Sequence, residues 1–147
     1  MIHVSNCRNY KLDQSWKTHR KAVKLQGLSP ASANLLLFYA VECGLKSLLL
    51  KKHLWTTCPT DRGNLLRSHD LAKIFMGTEP SKAEVEKAAP PSPLHLKWGS
   101  EKVPHIKIGD VHSVWRYGLP IDRDDEKKVI AWLQKVNQYI ALKRIQP

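Results

Sequence analysis

A carboxylate and an ammonium stand one helical turn apart in the most apolar stretch of the chain, FYAVECGLKSLLL at residues 38–50. They are Glu42 and Lys46, with the acid first, the order that favours a helical ion pair. On a surface such a pair contributes only ~0.2–0.5 kcal/mol. In a helical core an unpaired carboxylate would be far more costly, so Glu42 needs a fixed partner there. The candidates are Lys46, Arg116 and His69. We expect a structural polar node of Glu42, Lys46 and Arg116, with Arg116 or His69 reaching the carboxylate. The competing reading puts Glu42 and Lys46 at the solvent edge.

A second group points to nucleic acid. Arg116 and Tyr117 follow Trp115, which places a guanidinium beside two aromatic rings. Such a cluster can stack a base and hold a phosphate. It can equally be core packing with an arginine that snorkels to solvent. Lys17, Arg20, Lys21 and Lys24 fall largely on one face of a helix and could neutralise phosphates. The composition agrees. Lysine and arginine total 24 against 13 acids, a net charge of +11 with a pI near 9.7. A basic face draws polyanions from a distance. RNA, DNA and an acidic protein all satisfy that condition.

Metal and cofactor chemistry find little support. His53, Cys58 and His69 match no recognised ligand spacing, and His95, His105 and His112 are spread over an irregular segment. There is no P-loop and no dinucleotide fingerprint. No metal and no cofactor are expected. Cys7, Cys43 and Cys58 are an odd number at wide spacing, so no disulfide framework is implied. Cys43 fits a small apolar filler of the core.

The elements that must position these residues are mostly helical. Leu12, Trp16 and Val23 mark an amphipathic helix over residues 10–25, ended by Gly27. Ser29 and Pro30 open the next helix as cap and first residue. It runs to about Leu54, apolar nearly all round, as suits the middle of a bundle. Residues 56–63 read as a loop. Ser68 is expected to cap a short helix carrying Leu71, Ile74 and Phe75 and closed by Gly77. Ser81 and Glu84 have the spacing of a capping box, and Pro90, Pro91 and Pro93 stop that helix. Residues 90–120 are expected to be an irregular Pro- and His-containing insert with one short extended piece, HIKIGDV. The final helix opens on Asp122, Asp124, Asp125 and Glu126 and ends on Lys143 and Arg144, each favoured by the helix dipole. Val129, Trp132, Leu133, Val136, Tyr139 and Ile140 form its apolar stripe. The expected fold is all-α, a single domain over residues 1–147, built as a four- or five-helix bundle. The longest apolar run, Leu35 to Val41, is short of the roughly 18 residues that span a bilayer. The first residues lack the apolar stretch of a signal peptide. A cytoplasmic protein without a membrane partner is expected.

The order of several segments resembles the HEPN domains (higher eukaryotes and prokaryotes nucleotide-binding). Ala40-Val41-Glu42-Cys43-Gly44-Leu45-Lys46-Ser47-Leu48-Leu49 resembles the second-helix pattern A-x-E-x-x-L-K-A-L-L of that family. His69-Asp70-Leu71 resembles the start of its next helix, and Arg116-Tyr117 its late Arg-Tyr pair. The resemblance spans roughly residues 10–142. It implies an all-α bundle and roles in phage defence, toxin–antitoxin pairs or RNA processing. It also implies partners that are RNA and a second protein, often a copy of the same chain.

Many HEPN domains are metal-independent ribonucleases with Arg, four to six residues, then His late in the domain. The histidine serves as base at a ribose 2′-hydroxyl and the arginine as cation at the phosphate. This chain departs from that pattern, because no histidine follows Arg116. The literal match is Arg62 with His69, six residues between them, early in the chain. The expected function is therefore a non-catalytic RNA-binding or assembly module. The alternatives are a ribonuclease toxin using Arg62 and His69, or Arg116 with an unrecognised base, and a structural subunit that docks on a larger effector.

Overall fold

The computed structural model describes residues 9–25, 27–52, 66–98 and 101–146. It is mostly helical, with one small sheet. The order is α1 (Asn9–Ala22), α2 (Pro30–Lys52), α3 (Leu71–Gly77), α4 (Lys82–Lys87), β1 (Leu94–Trp98), β2 (Glu101–Ile106), α5 (Val111–Tyr117) and α6 (Arg123–Lys143).

The apolar character of α2 decides its place. It packs against α1, α3, α5 and α6. Its residues Leu37, Phe38, Ala40, Val41, Leu45, Leu48, Leu49 and Leu50 are buried. Its length and hydropathy would also suit a membrane span, but 56% of its most apolar window is covered by the protein itself. A central bundle helix meets the same criteria. Ser29 caps it as expected, its Oγ accepting the Ser32 N–H at 3.1 Å.

Gly44 sits where three helices meet. A Cβ there would lie 2.8 Å from both Trp16 on α1 and Ile140 on α6. The missing side chain is what lets α1 and α6 approach α2 at this level. Trp16 is buried and donates from Nε1 to Asn137 Oδ1 at 2.8 Å. Arg144 adds a two-pronged bond to Asp13, at 3.1 and 3.0 Å. Burial alone would raise the Asp13 carboxyl, but Arg144 and then Lys17 outweigh it and hold the group below its ordinary value.

The α6 stripe is borne out residue by residue: Val129, Trp132, Leu133, Val136, Tyr139 and Ile140 are all buried. Its acidic opening does more than complement a dipole. Asp122 caps the helix by accepting Asp125 N–H. Asp125 accepts from both the backbone N–H and ring Nδ1 of His95, at 2.9 and 3.0 Å. Glu126 accepts Trp115 Nε1–H at 3.0 Å.

Two expectations need correction. Ser68 does not cap α3. Asp70 does, accepting Lys73 N–H at 3.2 Å, while Ser68 accepts the N–H of Asp70 at 2.9 Å. Both residues are good caps, and the one nearer the apolar run took the role. The stretch 90–120 is also not an irregular insert. It forms an antiparallel hairpin with Leu94 opposite Ile106, Leu96 opposite Val103 and Trp98 opposite Glu101. A 3₁₀ turn, Ile108–Asp110, and α5 follow. Leu94-His95-Leu96-Lys97-Trp98 alternates apolar and polar residues, a strand signal. Pro104 in β2 weakens that reading, since proline is tolerated only on edge strands. Here β2 is an edge of a two-stranded sheet.

Candidate functional site

The residues with chemistry gather where α2, the turn before α3 and the start of α5 meet. Glu42 on α2 lies between Lys46 and His69. Its Oε2 is 3.4 Å from Lys46 Nζ and its Oε1 is 2.7 Å from His69 Nδ1. The Lys46 and Glu42 side chains are 4% and 13% exposed, so the pair is an internal one. The solvent-edge reading of Glu42 and Lys46 does not hold. Among the described residues the ion pairs of Glu42 are with Lys46 and His69, and Arg116 is not one of them. The node is therefore Glu42, Lys46 and His69.

His69 is held from several sides. The turn is closed by Ser68 and Asp70, and Gly109 presses against it. A Cβ on Gly109 would lie 3.1 Å from the His69 carbonyl oxygen and 3.2 Å from Asp70 Cα. The His69 ring lies against that of His112, tilted by 39° with centroids 4.7 Å apart, and the His112 ring centroid is 5.3 Å from that of Phe38. His112 bonds the Gly109 carbonyl through Nδ1 at 2.6 Å. A carbonyl can only accept, so Nδ1 carries the hydrogen. Its Nε2 is 3.4 Å from Ser113 Oγ. The same logic places a hydrogen on His69 Nδ1, facing an ionised Glu42. Neutral His69 then presents its Nε2 lone pair, on a side chain that is 50% exposed. A carboxylate behind an imidazole stabilises the imidazolium that forms when the ring takes a proton.

His112 was not among the expected site residues. It lies far from His69 in sequence, and no spacing rule links them. Arg62, the expected partner of His69, lies outside the described residues, as do His53 and Cys58.

Arg116 and Tyr117 lie at the end of α5 and are exposed, Tyr117 by 68%. The Arg116 guanidinium is 5.6 Å from the centre of the Tyr117 ring. Trp115 parts from them, buried and bonded to Glu126. Arg116 is one helical turn beyond His112, so α5 sets both on one side.

The expected basic face of α1 divides. Lys21 and Lys24 are exposed. Lys17 is 3.4 Å from Asp13. Arg20 lies 4.5 Å from the centre of the Trp16 ring, so its guanidinium already has a contact within the protein. Cys43 is a poor nucleophile: burial first, then Glu42 against Lys46, push its thiol up to about 11. Among the described residues no group of three or more His, Cys, Asp or Glu could hold a metal ion.

No protein-family model, curated protein or solved structure matches the chain.

Proposed function

We propose that this chain is a HEPN-like RNA-binding or assembly module that does not itself cut RNA. The observation that carries the reading is the exposed Arg116–Tyr117 pair at the end of α5, on a chain of net charge +11. The ring offers a face for a base and the guanidinium a partner for the adjoining phosphate. Lys21 on α1 and Lys24 just beyond it are two further exposed cations. The resemblance adds a role in prokaryotic defence, a toxin–antitoxin pair or RNA processing, with a second protein or a second copy as partner. The test is retention of labelled RNA over a salt series. Retention should fall steeply with salt, and Arg116→Ala should both weaken it and flatten the slope. Salt-independent retention, or none, would sink the reading.

A second reading, an RNA-cleaving enzyme, is favoured by the Glu42–His69 pair. His69 Nε2 would take the proton of a ribose 2′-hydroxyl. The 2′-oxygen would then attack phosphorus, and the P–O5′ bond would break with the 5′-oxygen taking a proton from water, giving a 2′,3′-cyclic phosphate and a 5′-hydroxyl. Arg116, one turn from His112, would face the phosphate. Cleavage that disappears in His69→Ala would establish this reading over the first.

A further inference from the structure

A second concave site lies at the other end of α2. It is a cleft of about 430 Å³ lined by the ends of α2 and α6 and by the turn after α3. That volume suits a small organic ligand. Lys51 and Lys52 come from α2, Lys143 from α6, and Thr78, Glu79 and Tyr139 complete its wall.

Each ammonium has a partner. Lys51 Nζ donates to the carbonyls of Arg144 and Gln146, at 3.3 and 2.5 Å. Lys52 Nζ is 2.6 Å from Glu79, and Lys143 Nζ is 3.1 Å from Glu84. An ammonium has three donors, so each keeps at least one beyond these bonds. Among the described residues three ammoniums stand against two carboxylates, which leaves the cleft positive. Lysine commonly binds phosphate as a point charge.

The floor adds a second requirement. Thr78 Oγ1 spends its hydrogen on the Phe75 carbonyl, at 2.6 Å. Tyr139 must then donate to Thr78, 2.9 Å away. The Tyr139 oxygen is left with lone pairs, and burial keeps the phenol protonated by raising its pKa. It can only accept from a ligand, a need that a hydroxyl meets.

We propose that this cleft binds a phosphate monoester of a hydroxylated small molecule, with the phosphate on the lysines and a hydroxyl on Tyr139. The site shares no residue with Arg116, Tyr117 or His69, so it stands or falls apart from the RNA-binding reading. A free sugar phosphate and the 5′-phosphorylated end of a strand present the same chemistry.

Calorimetric titration tests it, with ribose 5-phosphate, ribose, inorganic phosphate, and an RNA tetramer with and without a 5′-phosphate. Ribose 5-phosphate should bind more tightly than inorganic phosphate, and ribose should not bind. Lys143→Gln and Lys52→Gln should each weaken binding roughly tenfold, as loss of a charged hydrogen bond does. Arg116→Ala should leave it unchanged. Competition by the phosphorylated tetramer but not the hydroxyl form identifies a strand end as the ligand. Competition by neither identifies a free ester. Absence of ribose 5-phosphate binding, equal binding of inorganic phosphate, or indifference to both lysine variants would overturn the proposal.

Discussion

Helix α2 carries two different kinds of surface two residues apart. Gly44 meets Trp16 and Ile140 in close apolar contact. Glu42 and Lys46 meet His69 in a polar node that opens to solvent. On the α1–α6 side, charged groups are spent on fastening: Arg144 on Asp13, Arg20 and Arg144 against the Trp16 ring. On the α3–α5 side, His69 and Arg116 keep part of their hydrogen-bonding capacity facing out. The same helix secures the fold with one face and presents chemistry with the other. The two faces should therefore fail differently when altered.

The largest loss should come from the fastening side. Trp16→Ala removes a fully buried ring and its bond to Asn137, and should cost about 3–5 kcal/mol in urea unfolding. A smaller loss would mean that α1 is dispensable to the core. Breaking the node comes next. Lys46→Met leaves Glu42 short of a partner and should cost about 3 kcal/mol, near the lower end for a broken buried pair. Adding Glu42→Leu should recover part of it. If the double variant were the less stable, the node would be contributing more than mutual neutralisation. Gly44→Ala should lower stability by about 1–3 kcal/mol through overpacking against Trp16 and Ile140, visible as a drop in Tm.

The acid response should separate two sets of groups. Burial lowers the pKa of His19 from its ordinary value of 6.5, so the unfolded chain takes up that proton more readily than the folded one. The contribution of His19 is therefore fully present above pH 6.5 and is lost as pH falls through its folded value. Glu84 and Asp13 are likewise held below 4.5 and 3.8, and their contributions disappear only in stronger acid. For Glu84, burial opposes the shift, and its bonds to Ser81 and Lys143 overcome it. Unfolding free energy measured from pH 8 to pH 5 should fall less steeply in His19→Gln than in the parent chain. Equal slopes would place the cause elsewhere.

How much of this was legible in the sequence varies from element to element. The stripe on α6, the cap at Ser29 and the Ser81–Glu84 capping box were readable because they depend on local periodicity and short reach. Both capping-box bonds are present, at 2.8 and 3.2 Å. The hairpin was obscured because Pro104 and the cluster at 90–93 read as breakers, although β1 alternates cleanly. The partner of Glu42 could be narrowed to three residues but not chosen, since the choice depends on how α3 and α5 pack. The His69–His112 ring contact and the clash-free approach at Gly44 arise only from long-range packing, and no local pattern encodes them.

The smallest stability effect should accompany the clearest functional one. Arg116→Ala and Tyr117→Ala alter exposed residues and should change stability by less than about 0.5 kcal/mol. The decisive measurement is incubation of labelled RNA with the parent chain and with the Arg116→Ala and His69→Ala variants, reading retention and cleavage on the same samples. The account predicts retention without cleavage, weakened in Arg116→Ala and kept in His69→Ala. Cleavage by the parent chain that His69→Ala abolishes, or no retention at all, would contradict it.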